Sequence, residues 1–268
     1  MRPPTPYPSL NAVLQELVGS AEQILRDNFS AAWLQGSFAV GDFDQHSDVD
    51  FVIAIEQELA DSQVQDLQAM HERIYGLDTE WAKHLEGSYF PRSELRDYAE
   101  SGRELWYLDH GSRQLERSDH DNTVVVRWIL REKGVTLAGP HPSTLIDPIP
   151  ASALRQDILE TINNWGSQIL TDPERINNHF FQTFAVLSFC RMLHDLHTGV
   201  VGSKRSGADW AKANLDESWT DFIDRAWDGR PNPARSVRQP ADEFDFRGTL
   251  TFIEEVIGAA NDFDTGSP

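Results

Sequence analysis

Leu34-Gln-Gly-Ser-Phe-Ala-Val-Gly-Asp-Phe-Asp-Gln-His-Ser-Asp-Val-Asp-Phe-Val-Ile53 sets a glycine–serine corner and two aspartates between short apolar runs. Ala31 to Leu34 precedes Gly36-Ser37, and Asp48-x-Asp50 leads into Phe51 to Ile55. Runs this short and this rich in Val, Ile and Phe predict buried strands. Gly36, Gly41 and the Ser and Asp residues between the runs predict a loop. Asp48 and Asp50 are two positions apart, so on a strand both point to one side. Two carboxylates converging there repel unless a cation lies between them, and hard oxygen ligands suit Mg²⁺ bound with nucleotide phosphates. A surface turn with acidic caps is the simpler account of a lone Asp-x-Asp. Here the Gly-Ser before it and the apolar strand after it favour a metal–phosphate site.

The chain has 268 residues, 40% hydrophobic and 25% charged, which leaves room for one large domain or two ordinary ones. No apolar run has the length needed to cross a bilayer, so no membrane partner is expected. Met1-Arg-Pro-Pro-Thr-Pro-Tyr-Pro8 lacks an apolar signal core and predicts a short extended tail. The single cysteine, Cys190, sits in the apolar run that begins at Phe184, where a buried structural thiol is expected. The expected location is cytoplasmic, and a monomer is expected. The formal net charge of −20, from 23 Lys+Arg against 43 Asp+Glu, disfavours any enzyme that must track a nucleic-acid backbone. It attracts a small cationic substrate. An acidic surface that keeps the protein soluble, or suits a salty habitat, explains the same charge.

Leu10 to Phe29 carries a helical stripe through Leu10, Val13, Leu14, Leu17, Ala21, Ile24 and Leu25. Strands are predicted at Ala31–Gln35 and Asp50–Ile55, with a helix over Asp61–Tyr75 capped by Asp61 or Ser62. Thr79–Phe90 predicts a third strand ended by Pro91, with Glu86 in its middle. An acid in a strand that otherwise feeds the core is costly unless paired, protonated or near a metal. A solvent-facing Glu86 on an alternating edge strand is equally compatible with the spacing. Asp121–Lys133 predicts a helix, and Gly139-Pro140-His-Pro142 a connector. The domain boundary is expected near Pro148–Pro150. Beyond it the pattern is helical: Ala151–Leu170, Asn178–His197, Lys204–Leu215, Glu217–Trp227 and Phe246–Asn261. Asp228 to Arg235 predicts a loop, and Asp262–Pro268 a frayed tail.

Gly36-Ser37, Gly41 and Ser47-Asp48-x-Asp50 with the strand that follows resemble the signature of the polymerase-β-like nucleotidyltransferases. Val135-Thr-Leu-Ala-Gly-Pro140 and Leu145-Ile-Asp-Pro-Ile-Pro150 resemble the inter-domain region of aminoglycoside adenylyltransferases of the streptomycin/spectinomycin type. Phe184–Arg191, Thr198-Gly199, Ser203-Lys204 and Ala208-Asp-Trp-Ala211 resemble the helical domain of those enzymes. The likeness spans about Ser30 to Trp219. It implies an α/β (α+β) nucleotidyltransferase domain with a mixed sheet over residues 1–150, followed by an all-α helical bundle over 151–268. It also implies that Gly36, Ser37 and Ser47 hold the triphosphate of ATP and that Asp48 and Asp50 bind Mg²⁺. Glu86, beside that metal, is implied as general base, with Arg191 and Lys204 contacting ATP from the helical domain. The implied reaction is transfer of AMP to a hydroxyl of a small acceptor, an aminoglycoside or aminocyclitol antibiotic.

The chain departs from that pattern. In the streptomycin-modifying members, acidic residues before the position of Arg191 contact the aminoglycoside. Asn177 and Phe181 stand there in this sequence, with Phe184 a turn further on. Neither an amide nor an aromatic ring pairs with an ammonium group as a carboxylate does, although a ring face still attracts a cation. Transfer of AMP to a protein or another non-antibiotic acceptor, and a non-catalytic nucleotide sensor on the same fold, are the alternatives.

Overall fold

The computed structural model describes residues 3–45, 47–230 and 237–263. The chain forms two compact units, Met1–Ile149 and Pro150–Pro268.

In the first unit, α1 (Pro8–Leu25) buries Leu10, Val13, Leu14, Leu17, Ala21 and Leu25. It stops four residues short of the predicted end because Arg26 turns to φ 52°, and β1 (Phe29–Leu34) starts after a single 3-10 turn. The proline-rich segment ahead of α1 is not a loose tail over the residues described. Thr5 is buried, and its N–H and Oγ1 both donate to Asn11 Oδ1, at 3.1 and 2.9 Å. Tyr7 packs on Trp81 at 5.0 Å between ring centres.

A short helix α2 (Gly36–Val40) and a loop lead to β2 (Val49–Ile55), and α3 (Asp61–Tyr75) crosses over to β3 (Leu85–Pro91). Here β3 is shorter at its start than predicted. Trp81 and Ala82 turn into the core on a 3-10 turn, Glu80–Lys83, and only then does the chain extend. Pro91 closes the strand from within, opposite Ile55. The helical turn α4 (Arg92–Leu95) precedes three strands that were not predicted. These are β4 (Leu105–Leu108), β5 (Leu115–Ser118) and, after α5 (Val124–Lys133), β6 (Val135–Ala138). The sheet order is β5-β4-β3-β2-β1-β6. It is mixed: β2 and β3 run parallel and the other neighbours are antiparallel.

Alternation along the strands builds two cores. Ala32, Leu34, Phe51, Ile53 and Ile55 face α1 and α3. Ala31, Trp33, Val52, Ala54 and Phe90 face the side of Leu130 on α5. Asp50 and Glu86 have the parity of Val52 and Phe90, so they belong to the α5 side, ahead of the apolar packing that begins at Val52 and Phe90.

The α1/α3 side holds one buried titratable pair. His71 is 2% exposed and its Nε2 lies 2.8 Å from Tyr89 Oη. Burial pushes the His71 imidazolium pKa down to about 3. The folded value lies below the unfolded one of about 6.5, so unfolding takes up a proton as pH falls between them. The neutral ring's contribution is therefore complete above pH 6.5 and lost at about 1.4 kcal/mol per pH unit below it. Urea unfolding of wild type and His71→Gln at pH 7 and pH 5 is expected to show about 2 kcal/mol more acid loss in wild type. Equal losses would place the acid sensitivity elsewhere.

The described elements of the second unit are helices, with an isolated bridge between Asn178 and Pro240. Its helices are α6 (Ala151–Thr171), α7 (His179–Thr198), α8 (Lys204–Asn214), α9 (Thr220–Asp228) and α10 (Glu243–Asn261). Central to them is α7, buried on nearly every side through Ala185, Val186, Leu187, Phe189, Cys190, Leu193 and Leu196. Its neighbours are α6, α8, α9 and α10. Burial pushes the Cys190 thiol up to about 12, as an inert core thiol requires. Glu217–Trp219 is a 3-10 turn rather than the start of α9, and α10, capped by Asp242, begins three residues before the predicted start. The predicted loop over 228–235 and the predicted frayed tail fall largely outside the described residues.

Candidate active site

Asp50 and Glu86 are direct partners in the parallel ladder between β2 and β3. Each lies one position into its strand, and both side chains project from the same face. Val49 N–H donates to His84 O at 2.8 Å and so aligns the two strand starts. Glu86 is sheltered, with 14% of its side chain exposed, whereas Asp48 is open at 47%.

The Gly-Ser corner closes on this edge. Gln35 N–H donates to Asp50 O at 2.9 Å. Gly36 has φ +56°, and a Cβ on it would stand 2.0 Å from Asp50 Oδ2. Only glycine fits both that backbone conformation and that approach. Ser37 Oγ is buried and has no hydrogen-bond partner among the described residues. Buried hydroxyls are rarely left so, and a ligand oxygen is a natural partner. Ser47 Oγ accepts from Asp44 N–H at 2.9 Å and ties the loop ahead of Asp48.

Glu86 is held by groups from β4 and the loop after β5. Tyr107 Oη donates to Glu86 Oε1 at 2.5 Å, and His120 Nε2 stands 3.4 Å from the same oxygen. Burial alone would raise the Glu86 pKa. The hydrogen bonds from His120 and Tyr107 and the charges of His120 and His110 outweigh it and hold the carboxyl below the ordinary value of 4.5. The bond to Glu86 lifts His120 to about 9 against the opposing effect of burial. Desolvation raises Tyr107 further above its usual range, so the phenol stays protonated.

Beneath this layer lies Asp121, 3% exposed. It accepts from Ser88 Oγ at 2.7 Å and from Gln35 Nε2 at 3.0 Å. Burial raises its pKa to about 6. Through these bonds it fastens β3 to the residue before Gly36.

Asp48 points to a different set of partners. Its Oδ1 lies 3.1 Å from His110 Nε2, which lies 3.0 Å from His84 Nδ1. Among the described residues, the ligand atoms of Asp48, His84 and His110 all lie within 4.8 Å of one another, and Asp50 and Glu86 stand outside that group.

Sequence reasoning placed Asp48, Asp50, Glu86, Gly36 and Ser37 around this edge. It missed Tyr107, Asp121 and the histidines at 84, 110 and 120. The available signal was weak: polar runs Asp109-His-Gly-Ser112 and Ser118-Asp-His-Asp-Asn122 beside the short apolar run Leu105-Trp-Tyr-Leu108.

Arg191 and Lys204 belong to the second unit. Arg191, on α7, is half-buried beside Asp195, whose pKa burial raises while His194 and Arg191 oppose the rise. Lys204 opens α8, and its Nζ lies 4.5 Å from the centre of the Phe184 ring. Phe181 and Phe184 are 40% and 36% exposed, and Phe180 stacks on Phe184 at 6.0 Å. Asn177 Nδ2 donates to Glu174 Oε2 at 3.0 Å.

Residues 144–243 match a family model described as aminoglycoside adenylyltransferase, C-terminal domain. An aminoglycoside (3'') (9) adenylyltransferase of Klebsiella pneumoniae is 24% identical over 219 residues, 78% of this chain and 81% of that one. A spectinomycin 9-adenylyltransferase of Staphylococcus aureus is 24% identical over 221 residues, 77% and 81% of the two chains. Among solved structures, the spectinomycin adenyltransferase of Enterococcus faecialis, crystallised with ATP and spectinomycin, aligns with a TM-score of 0.68 at 14% identity. That alignment covers 94% of this chain and 99% of that one.

Proposed function

We propose that this chain is an aminoglycoside adenylyltransferase, which transfers AMP from ATP to a hydroxyl of a small antibiotic acceptor and releases pyrophosphate. The observation that carries the reading is the pairing of Asp50 with Glu86 under a glycine that cannot bear a side chain. That is an edge shaped for a phosphate chain and a proton acceptor together.

Glu86 receives the proton of the acceptor hydroxyl. Tyr107 and His120 both engage Oε1, so they fix the carboxylate plane and leave Oε2 to take the proton. Ser37 Oγ and the backbone at Gly36 cradle the phosphates, and Ser47 sits within the same loop. The acidic donors and the buried, unpartnered Ser37 hydroxyl fit a hydrated Mg²⁺–nucleotide, with Asp48 and Asp50 as carboxylate ligands beside Glu86. When bound, Mg²⁺ neutralises charge on the phosphoryl oxygens as the leaving pyrophosphate gains it. To Arg191 and Lys204 we assign ATP contacts on the resemblance alone.

Pyrophosphate release with ATP, Mg²⁺ and a panel that includes spectinomycin and streptomycin tests the reading. Acceptor-dependent release is expected with at least one compound. Release no faster than without acceptor, across the panel, would sink it. A less cationic acceptor is the second reading, carried by the exposed rings of Phe181 and Phe184 where a cationic drug calls for carboxylates. Turnover of neutral hydroxylated acceptors, with none of the cationic ones, would favour it.

A further inference from the structure

We propose that Asp48, His84 and His110 form a binding site for a divalent transition-metal ion of the zinc class, beside the Asp50–Glu86 pair. The three residues come from three neighbouring strand ends. Asp48 immediately precedes β2, His84 immediately precedes β3, and His110 follows β4, whose Leu108 pairs with Gly87. Rigid strands therefore set their spacing, although the residues are 36 and 26 positions apart in sequence.

The separations suit a small ion. With ligand bonds near 2.0–2.1 Å and tetrahedral angles, neighbouring donor atoms lie about 3.3 Å apart. Here His84 Nδ1 and His110 Nε2 are 3.0 Å apart, and His110 Nε2 and Asp48 Oδ1 are 3.1 Å apart. A hydrogen-bonded account is strained at His110. A neutral imidazole nitrogen carries one proton and can aim it at either His84 or Asp48, whereas a cation accepts lone pairs from all three atoms together.

The donor chemistry selects the ion. Two imidazoles and one carboxylate suit Zn²⁺, Co²⁺ or Ni²⁺, whereas Mg²⁺ prefers an all-oxygen, largely hydrated shell. Three protein ligands leave a position open to water, as in reactive rather than purely structural zinc sites. Entry is unhindered, since the side chains of His110 and Asp48 are 35% and 47% exposed. The chain's net charge of −20 raises the local concentration of any cation. Because Asp48 is shared, this ion would draw a carboxylate away from the nucleotide's Mg²⁺. That consequence rests on the AMP-transfer reading, whereas the site itself does not.

Cobalt is the probe, since Co²⁺ bound by nitrogen ligands in a four- or five-coordinate site absorbs in the visible and Mg²⁺ does not. Nucleotide-free protein titrated with Co²⁺ is expected to develop those bands with one ion per chain, and Zn²⁺ to bleach them. Outer-shell partners alone are worth roughly 10- to 100-fold in metal affinity, so His84→Ala and His110→Ala are expected to lose at least that much. His141→Ala, a histidine from a separate loop, is expected to bind as wild type does. On unsubstituted protein, Zn²⁺ is expected to shield His84 and His110, but not His141, from diethylpyrocarbonate, as mapped by peptide mass spectrometry. Absence of the bands, or equal modification of the three histidines with and without Zn²⁺, overturns the site. So does undiminished binding in both folded alanine variants. None of these measurements needs ATP or an acceptor, so a failure of AMP transfer does not touch them.

Discussion

Glu86→Gln is expected to lower the rate of AMP transfer by roughly 10²- to 10⁴-fold, the range over which a positioned base contributes. KM for ATP is expected to change little, because the amide keeps the shape of the carboxyl and loses only the proton acceptor. Single-turnover formation of the adenylylated acceptor is the measurement, and a loss under threefold would remove Glu86 from the reaction. The pH profile is a second readout. Glu86 is held below its ordinary 4.5 by His120 and Tyr107 against the opposing pull of burial. Its ionised form therefore persists through neutral pH, and the acid limb that it sets in kcat/KM is expected below pH 4.5. His120, raised to about 9 by the same carboxylate, stays charged through neutrality and loses its proton only in the alkaline range. An acid limb near pH 6 to 7 would point to a base other than Glu86.

Gly36→Ala is expected to damage activity more than stability. The left-handed backbone at φ +56° costs an alanine about 1–2 kcal/mol. The methyl group would also start 2.0 Å from Asp50 Oδ2, so the carboxylate has to move. A shift of about 1 Å in a reacting group costs on the order of 10²-fold in rate. Gly41→Ala separates the two effects, because Gly41 has φ +83° but open space where its Cβ would go. The two variants are expected to lose similar stability in urea unfolding, and only Gly36→Ala the additional activity. Matching activities would show that the Asp50 approach is incidental.

The legible part of the molecule was the part with local pattern. Phe51 to Ile55 reads as a strand because a strand buried on both faces is continuously apolar, and β2 has helices on each side of it. The stripe of α1 and the second-unit helices α6 to α10 follow from 3.6-residue spacing and from their caps. The edge strands were not legible. Leu105-Trp-Tyr-Leu108 and Leu115-Glu-Arg-Ser118 are four residues each, too short for alternation to register, and their identity as strands depends on pairing with β3. Val135–Ala138, also four residues long, carries no strand signal of its own ahead of the Gly139–Pro142 connector, although it pairs with β1. Within the site, Asp50 and Glu86 could be placed because strand register carries them. Asp121 could not, since it sits where a helix start is expected, and only tertiary packing shows it buried against Ser88 and Gln35. His110 and His120 lie beyond the short strands, so missing those strands meant missing the histidines.

The parallel pairing of β2 with β3 bears on how the molecule is made. Two antiparallel strands can meet across a tight turn, but parallel neighbours wait for an entire crossover, here running through α3, to be laid down between them. Bringing Asp50 and Glu86 together closes a loop of 36 residues, and such distant pairings lag behind local ones during folding. A nascent chain can thus hold α1, β1 and β2 in place with no Glu86 carboxylate beside Asp50. On the proposed reading of Glu86 as the base, chemical competence arrives with β3 and is completed only when β4 and the segment carrying His120 dock on Glu86.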